Sequence, residues 1–96
     1  MPQPEPAALP DLGALDVRRR RLLFRATHRG TQESDLLVGG FVAANIHSLT
    51  PAELDALEQV MEHPDTDLAD WLTGRLPVPD EVASPMLLRM RDAARR

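Results

Sequence analysis

The chain of 96 residues contains no cysteine and no lysine, and its large aromatic residues are limited to two phenylalanines and one tryptophan. Without cysteine, disulfide scaffolds, cysteine-based zinc sites and thiol nucleophiles are excluded. The longest apolar stretches, such as residues 36–46, are too short to span a bilayer. We therefore expect a soluble, cytoplasmic protein with no membrane role.

Residues 1–10 contain prolines at positions 2, 4, 6 and 10, one acidic residue and no basic residue. A secretory signal needs a basic start and a hydrophobic run, and a mitochondrial leader needs arginines on an amphipathic helix. Neither pattern occurs here. The sequence predicts a disordered proline-rich tail over residues 1–14, with a proline-rich recognition peptide as the alternative, and one domain over residues 15–94.

The formal net charge is −4, and an acidic domain is a poor default binder of nucleic acid. Despite the acidic net charge, the chain contains a run of four consecutive arginines, Arg18–Arg21. Consecutive residues point all the way round a helix, so at least one should lay its alkyl stem beside the core. Docking against partner carboxylates and nucleic-acid binding remain as alternative functions for this run.

Helical spacing of apolar residues recurs through the chain, and no segment shows the alternation of a strand. The fold predicted is an all-α compact bundle of four to five short helices. The first helix begins near Asp16, and the second runs from about Gln32 to Ile46. The second helix is expected to carry one apolar stripe, formed by Leu37, Phe41 and Ala44.

The starts of the last three helices show different cap signals. Thr50-Pro51-Ala52-Glu53 combines a capping box with proline at the first helical position. Asp65 or Thr66 can cap the fourth helix, which Gly74 closes, and Ser84 can cap the fifth. The third helix should bury its apolar positions, which are Leu54, Leu57, Val60 and Met61.

Two features inside the helices have both a structural and a functional interpretation. Gly39 and Gly40 cost the second helix roughly 1 kcal/mol each relative to alanine, and close packing of another helix is the expected compensation. An opening for a partner is the alternative. Trp71 is expected to anchor the core, with a partner-facing position as the rival interpretation.

No group of residues indicates catalysis or a metal site. His28, His47 and His63 are scattered, and no serine or threonine lies in a nucleophile elbow. The acids that follow His63 lack the glycine and glutamate offsets of a calcium loop. The sequence therefore predicts a protein that is not an enzyme, binds no metal and holds no cofactor tightly.

Residues 29–35, here called the Arg29–Asp35 corner, join the first two predicted helices. Gly30 can take the left-handed conformation that ends a helix, and it lets another backbone come close. Glu33 and Asp35 fall in the first turn of the second helix, where the helix dipole favours carboxylates. This pattern predicts either a well-built helical hairpin or a docking surface.

The corner sequence Arg29-Gly30-x-x-Glu33 resembles the RGxxE signature of the SdhE-type FAD assembly factors of succinate dehydrogenase. Three further blocks are similar to that family in order and spacing, and the last contains Asp-x-Asp-Leu-x-x-Trp-Leu. The matching blocks are residues 20–25, 29–41, 49–54 and 64–75.

The resemblance implies a small helical chaperone that binds the flavoprotein subunit of succinate dehydrogenase and, in some bacteria, fumarate reductase. It would promote covalent attachment of FAD to the flavoprotein, which performs the chemistry itself. The partner-binding residues implied are Arg29, Gly30 and Glu33, with Asp35 close by. A monomeric free protein is expected. The alternatives are a nucleic-acid-binding helical module that uses Arg18–Arg21 and a generic regulatory interaction module.

Overall fold

The computed structural model describes residues 15–95, so the tail predicted for residues 1–14 lies outside the described residues. Five helices and no strand occur within residues 15–95, which confirms the predicted all-α bundle. In chain order they are α1 Val17–Thr27, α2 Gln32–Asn45, α3 Pro51–Met61, α4 Asp65–Thr73 and α5 Pro85–Ala94.

Side-chain caps start four of the five helices. Asp16 and Ser84 each accept a backbone N–H from their own first turn, and Thr50 forms the complete capping box with Glu53. The Thr31 side chain caps α2 by accepting the backbone N–H of Ser34. The prediction for α4 was wrong, because its N-cap is Pro64 and no side chain caps it. The carboxylate of Asp65 is instead bonded to an arginine of another segment.

One hydrophobic core joins all five helices. Trp71 is buried in it and meets the His63 ring edge-on, with ring centroids 5.1 Å apart. This position confirms the core-anchor interpretation of the tryptophan. The four apolar positions predicted for α3 are also all buried.

Helix α2 buries a different face from the one predicted. Phe41 is buried as expected, but Leu37 is only partly buried and Ala44 is exposed. The buried face is formed by Ser34, Val38, Gly39, Phe41 and Val42. The predicted stripe was therefore wrong at Ala44, while Leu37 packs against the core from a partly buried position.

The two glycines of α2 have different surroundings. A Cβ atom placed on Gly39 would lie 2.9 Å from Cγ2 of Thr27 and 3.1 Å from the carbonyl oxygen of Ala26. This contact confirms that α1 packs closely against Gly39. A Cβ on Gly40 would meet no atom within 4 Å.

The helices are all short. Within residues 15–95, none has the length and apolar character needed to cross a membrane.

Candidate functional site

The Arg29–Asp35 corner lies between α1 and α2, and Gly30 is its turning point. Gly30 has φ 109°, a conformation that side-chain-bearing residues rarely adopt. It is exposed, and a Cβ there would meet no atom within 4 Å. The left-handed backbone predicted for Gly30 is confirmed, and its open surface leaves room for close approach by another chain.

Arg29 is directed into the protein, with only 11% of its side chain exposed. Its guanidinium donates to the Asp65 carboxylate, to the carbonyl oxygen of Met61 at 3.0 Å and to that of His63 at 2.8 Å. Hydrogen bonds to a charged donor are stronger than neutral ones. Arg29 therefore ties the corner to the end of α3 and the start of α4.

Asp35 braces the same corner from the side of α2. Its Oδ1 accepts the backbone N–H of Arg29 at 2.7 Å, and its own backbone N–H donates to the carbonyl of Thr31. The Arg29 guanidinium and the Asp35 carboxylate thus form hydrogen bonds within the protein. Both were predicted to bind a partner, and the structure places them as supports for the residues between them.

Glu33 faces outward, with 49% of its side chain exposed. Its two carboxylate oxygens accept hydrogen bonds from Arg75, at 2.8 Å from Nη2 and 3.3 Å from Nη1. These bonds from the Arg75 guanidinium hold the pKa of Glu33 below its usual range. Gly30 and Glu33 are thus the two signature residues that are exposed at the surface.

The arginine run is divided between internal and exposed positions. Arg18 bonds to Asp55 and Glu58 on α3, while the Arg19 guanidinium donates to Asp16 and to two backbone carbonyls of the α2–α3 connection. With 21% of its side chain exposed, Arg19 confirms that one arginine lies beside the core. Arg20 and Arg21 are exposed.

Three exposed apolar residues near the corner were not predicted from the sequence. Phe24 is 61% exposed and stacks on the His28 ring, with centroids 3.9 Å apart. Leu36 is 69% exposed and Leu76 is 53% exposed. The available signal was helical spacing, because Phe24 lies three and four positions after the exposed Arg21 and Arg20.

The acidic residues of α4 do not gather into a metal site. Across residues 15–95, no group of three or more histidine, aspartate or glutamate side chains is placed to hold a metal ion. Asp65 and Asp70 are instead paired with Arg29 and Arg75.

The sequence matches the model of a known protein family. Residues 20–94 match the family model described as "flavinator of succinate dehydrogenase". The chain belongs to this family. The matched residues include most of α1, all of the other four helices and the whole Arg29–Asp35 corner. The resemblance seen in the sequence is thereby confirmed.

Similarity to individual proteins supports the same family assignment. The chain is 57% identical over 81 residues to the FAD assembly factor SdhE of Acetobacter pasteurianus, covering 84% of this chain and 74% of the relative. It is 32% identical over 77 residues to the mitochondrial succinate dehydrogenase assembly factor 2 of Dictyostelium discoideum, covering 80% of this chain and 55% of that protein. It is 33% identical over 79 residues to the Scheffersomyces stipitis protein of the same name, covering 79% and 53%.

The chain spans about half the length of these two mitochondrial relatives. No solved structure matches it.

Proposed function

We propose that this protein binds the flavoprotein subunit of succinate dehydrogenase and promotes covalent attachment of FAD to that subunit. The observation that carries the proposal is the placement of Gly30 and Glu33, which are both exposed on a corner that Arg29 and Asp35 brace internally. This corner lies within the residues that match the family described as "flavinator of succinate dehydrogenase".

The corner is suited to docking because it is both open and preorganised. Gly30 lets a partner backbone approach, and Glu33 offers a charged acceptor for its N–H or O–H groups. Arg29 and Asp35 fix the corner before the partner arrives, so little conformational entropy is lost on binding. We assign them a positioning role and assign partner contact to Gly30 and Glu33.

The flavoprotein carries out the chemistry in this proposal, and the present chain acts as a non-catalytic assembly factor. It positions groups of its client, and positioning alone can lower a barrier by several kcal/mol. FAD becomes attached to the client and is not held tightly by this chain. We further propose that fumarate reductase is a second client and that the free protein is a monomer.

Nucleic acid is not part of this proposal. Half of the Arg18–Arg21 run is bonded to carboxylates and carbonyls within the protein, which leaves fewer cations for phosphate groups.

The test is covalent flavin fluorescence on a denaturing gel after the flavoprotein subunit is produced alone or with this protein. The wild type should strengthen the flavin band, and Glu33→Ala should weaken it because the exposed acceptor is lost. Glu58→Ala is the matched control, since Glu58 is also a half-exposed glutamate bonded to an arginine, on α3. This control should match the wild type.

Circular dichroism melting curves should show that both variants fold. Equal flavin bands for Glu33→Ala and Glu58→Ala would contradict the assignment of the corner. A band that the wild type fails to strengthen would contradict the function itself.

A further inference from the structure

Arg75 follows α4 and is fixed in place by contacts that do not involve Glu33. Gly74, with φ 80°, turns the chain at the end of α4. The backbone N–H of Leu76 then donates to the carbonyl of Asp70 at 3.1 Å, and Nε of Arg75 donates to the Asp70 carboxylate at 3.1 Å. The guanidinium is therefore already directed toward α2 by its own segment.

The contact between Arg75 and Glu33 leaves hydrogen-bonding capacity on both sides. An arginine has five N–H donors, and three of those of Arg75 are used, one by Asp70 and two by Glu33. Each Glu33 oxygen accepts one of these bonds and keeps a second acceptor site. With 52% and 49% of their side chains exposed, both groups remain accessible while they are paired.

We propose that Arg75 is a positioning residue that holds Glu33 for docking and enters the interface together with it. This inference rests on the proposed function and extends its docking surface from the Arg29–Asp35 corner to the end of α4. The segment of the flavoprotein subunit that covers this surface presents a hydrogen-bond donor to Glu33 and an acceptor to Arg75.

One exposed apolar side chain lies close to each member of the pair along the chain, which favours a surface that a partner covers. Leu36 lies one turn after Glu33 on the same side of α2, and Leu76 directly follows Arg75. Apolar contacts around a polar centre exclude water, which strengthens the hydrogen bonds that they surround. The partner segment is therefore apolar on either side of its donor and acceptor.

The geometry of Arg75, Asp70 and Glu33 favours a positioning role for Arg75 over a role in which Arg75 masks Glu33 from the partner. A masking arginine would have to leave Glu33 before the partner could bind. Arg75 is held by Asp70 as well, and the free acceptor sites of Glu33 remain accessible while the pair is intact. The partner can therefore bind the pair as it stands.

The experiment measures the affinity of purified variants for the isolated flavoprotein subunit by calorimetry. Arg75→Ala should weaken binding by about tenfold, the size expected for losing hydrogen bonds of a charged group. Because Arg75 and Glu33 form one hydrogen-bonded unit that binds as a pair, their effects should not add, and the double variant Arg75→Ala/Glu33→Ala should bind no more than about twofold more weakly than Glu33→Ala alone. Arg89→Ala is the matched control, since Arg89 is a half-exposed arginine paired with Glu53.

A carbon-detected NMR titration of the free protein supplies a readout without the partner. Arg75→Ala should raise the Glu33 pKa toward its ordinary value, and Arg89→Ala should leave it unchanged. An unchanged Glu33 pKa in Arg75→Ala would overturn the positioning role, as would affinity equal to or above that of the wild type. Fully additive losses in the double variant would also overturn it. A wild type that fails to bind the flavoprotein would instead overturn the proposed function.

Discussion

At the scale of single residues, Ser34 stands out because it is the only buried polar residue within residues 15–95, at 1% exposure. Its hydroxyl oxygen has no hydrogen-bond partner in the protein. A buried, unsatisfied hydroxyl costs about 1–3 kcal/mol. Ser34, which lies within the Arg29–Asp35 corner, therefore leaves the protein less stable than it could be.

We expect Ser34→Ala to increase the free energy of unfolding by about 1 kcal/mol, because the orphaned hydroxyl is removed. Urea unfolding followed by circular dichroism measures the change. Ser48→Ala is the control, since Ser48 is exposed and its hydroxyl donates to the carbonyl of Asn45. It should bring no gain. A loss of stability in Ser34→Ala would show that the hydroxyl makes a bond that matters.

The roles of the corner residues were predictable only where the cause is local. The φ of Gly30 and the exposure of Glu33 follow from a helix end and a helix start, which lie in adjacent residues. The partner of Arg29 is Asp65, which lies 36 positions along the chain. No local pattern indicates that pairing, so the sequence could not show that the Arg29 side chain is bonded within the protein.

At the scale of the helices, the Gly39-Gly40 pair allows a direct test of packing. Gly39→Ala should destabilise the protein by about 1–3 kcal/mol, because its Cβ would lie 2.9 Å from Thr27 Cγ2. Gly40→Ala should stabilise it by roughly 0.5–1 kcal/mol, because the site is open and alanine favours a helix. Thermal and urea unfolding of both variants would measure the two opposite effects. Equal changes would refute this account of the α1–α2 contact.

Helix starts with a local cap were predicted correctly, as Thr50 and Ser84 show. The start of α4 was not, because Asp65 is bonded to Arg29 and does not cap its own helix. The buried face of α2 was also misjudged. This helix is apolar on more than one side, and the side that is buried depends on the close approach of α1 at Gly39, which sequence spacing does not reveal.

At the scale of the whole molecule, three carboxylates make stability depend on pH. The pKa of Asp16 is lowered by the backbone N–H of Arg19, that of Glu33 by Arg75, and that of Glu53 by the backbone N–H of Thr50. A carboxylate whose pKa is lower in the folded state releases its proton more readily there. Its contribution is complete above the unfolded pKa and is lost as the pH falls through the folded value.

The urea midpoint should therefore stay level from neutral pH down to the ordinary glutamate pKa of 4.5, and fall below it. Added salt should reduce the dependence, because the groups are exposed and screened. In Glu33→Gln the fall on acidification should be smaller, because one of the three groups no longer titrates. A midpoint that rises on acidification would contradict this sign.

The all-α class was predictable because apolar spacing determines it. Which apolar residues are exposed at the surface was less predictable. Phe24, Leu36 and Leu76 lie outside the core, yet leucine and phenylalanine in a helical pattern are normally assigned to it. Which apolar residues remain outside depends on how five short helices share one core.

The hydrogen bonds of Arg29 also determine when its side chain can be fixed during synthesis of the chain. A nascent chain that has emerged only as far as Met61 already contains the whole signature, but it lacks the His63 carbonyl and the Asp65 carboxylate that fix the Arg29 side chain. The corner takes its shape only after α4 has begun to leave the ribosome. The Arg29 side chain is therefore fixed only late in the translation of the chain.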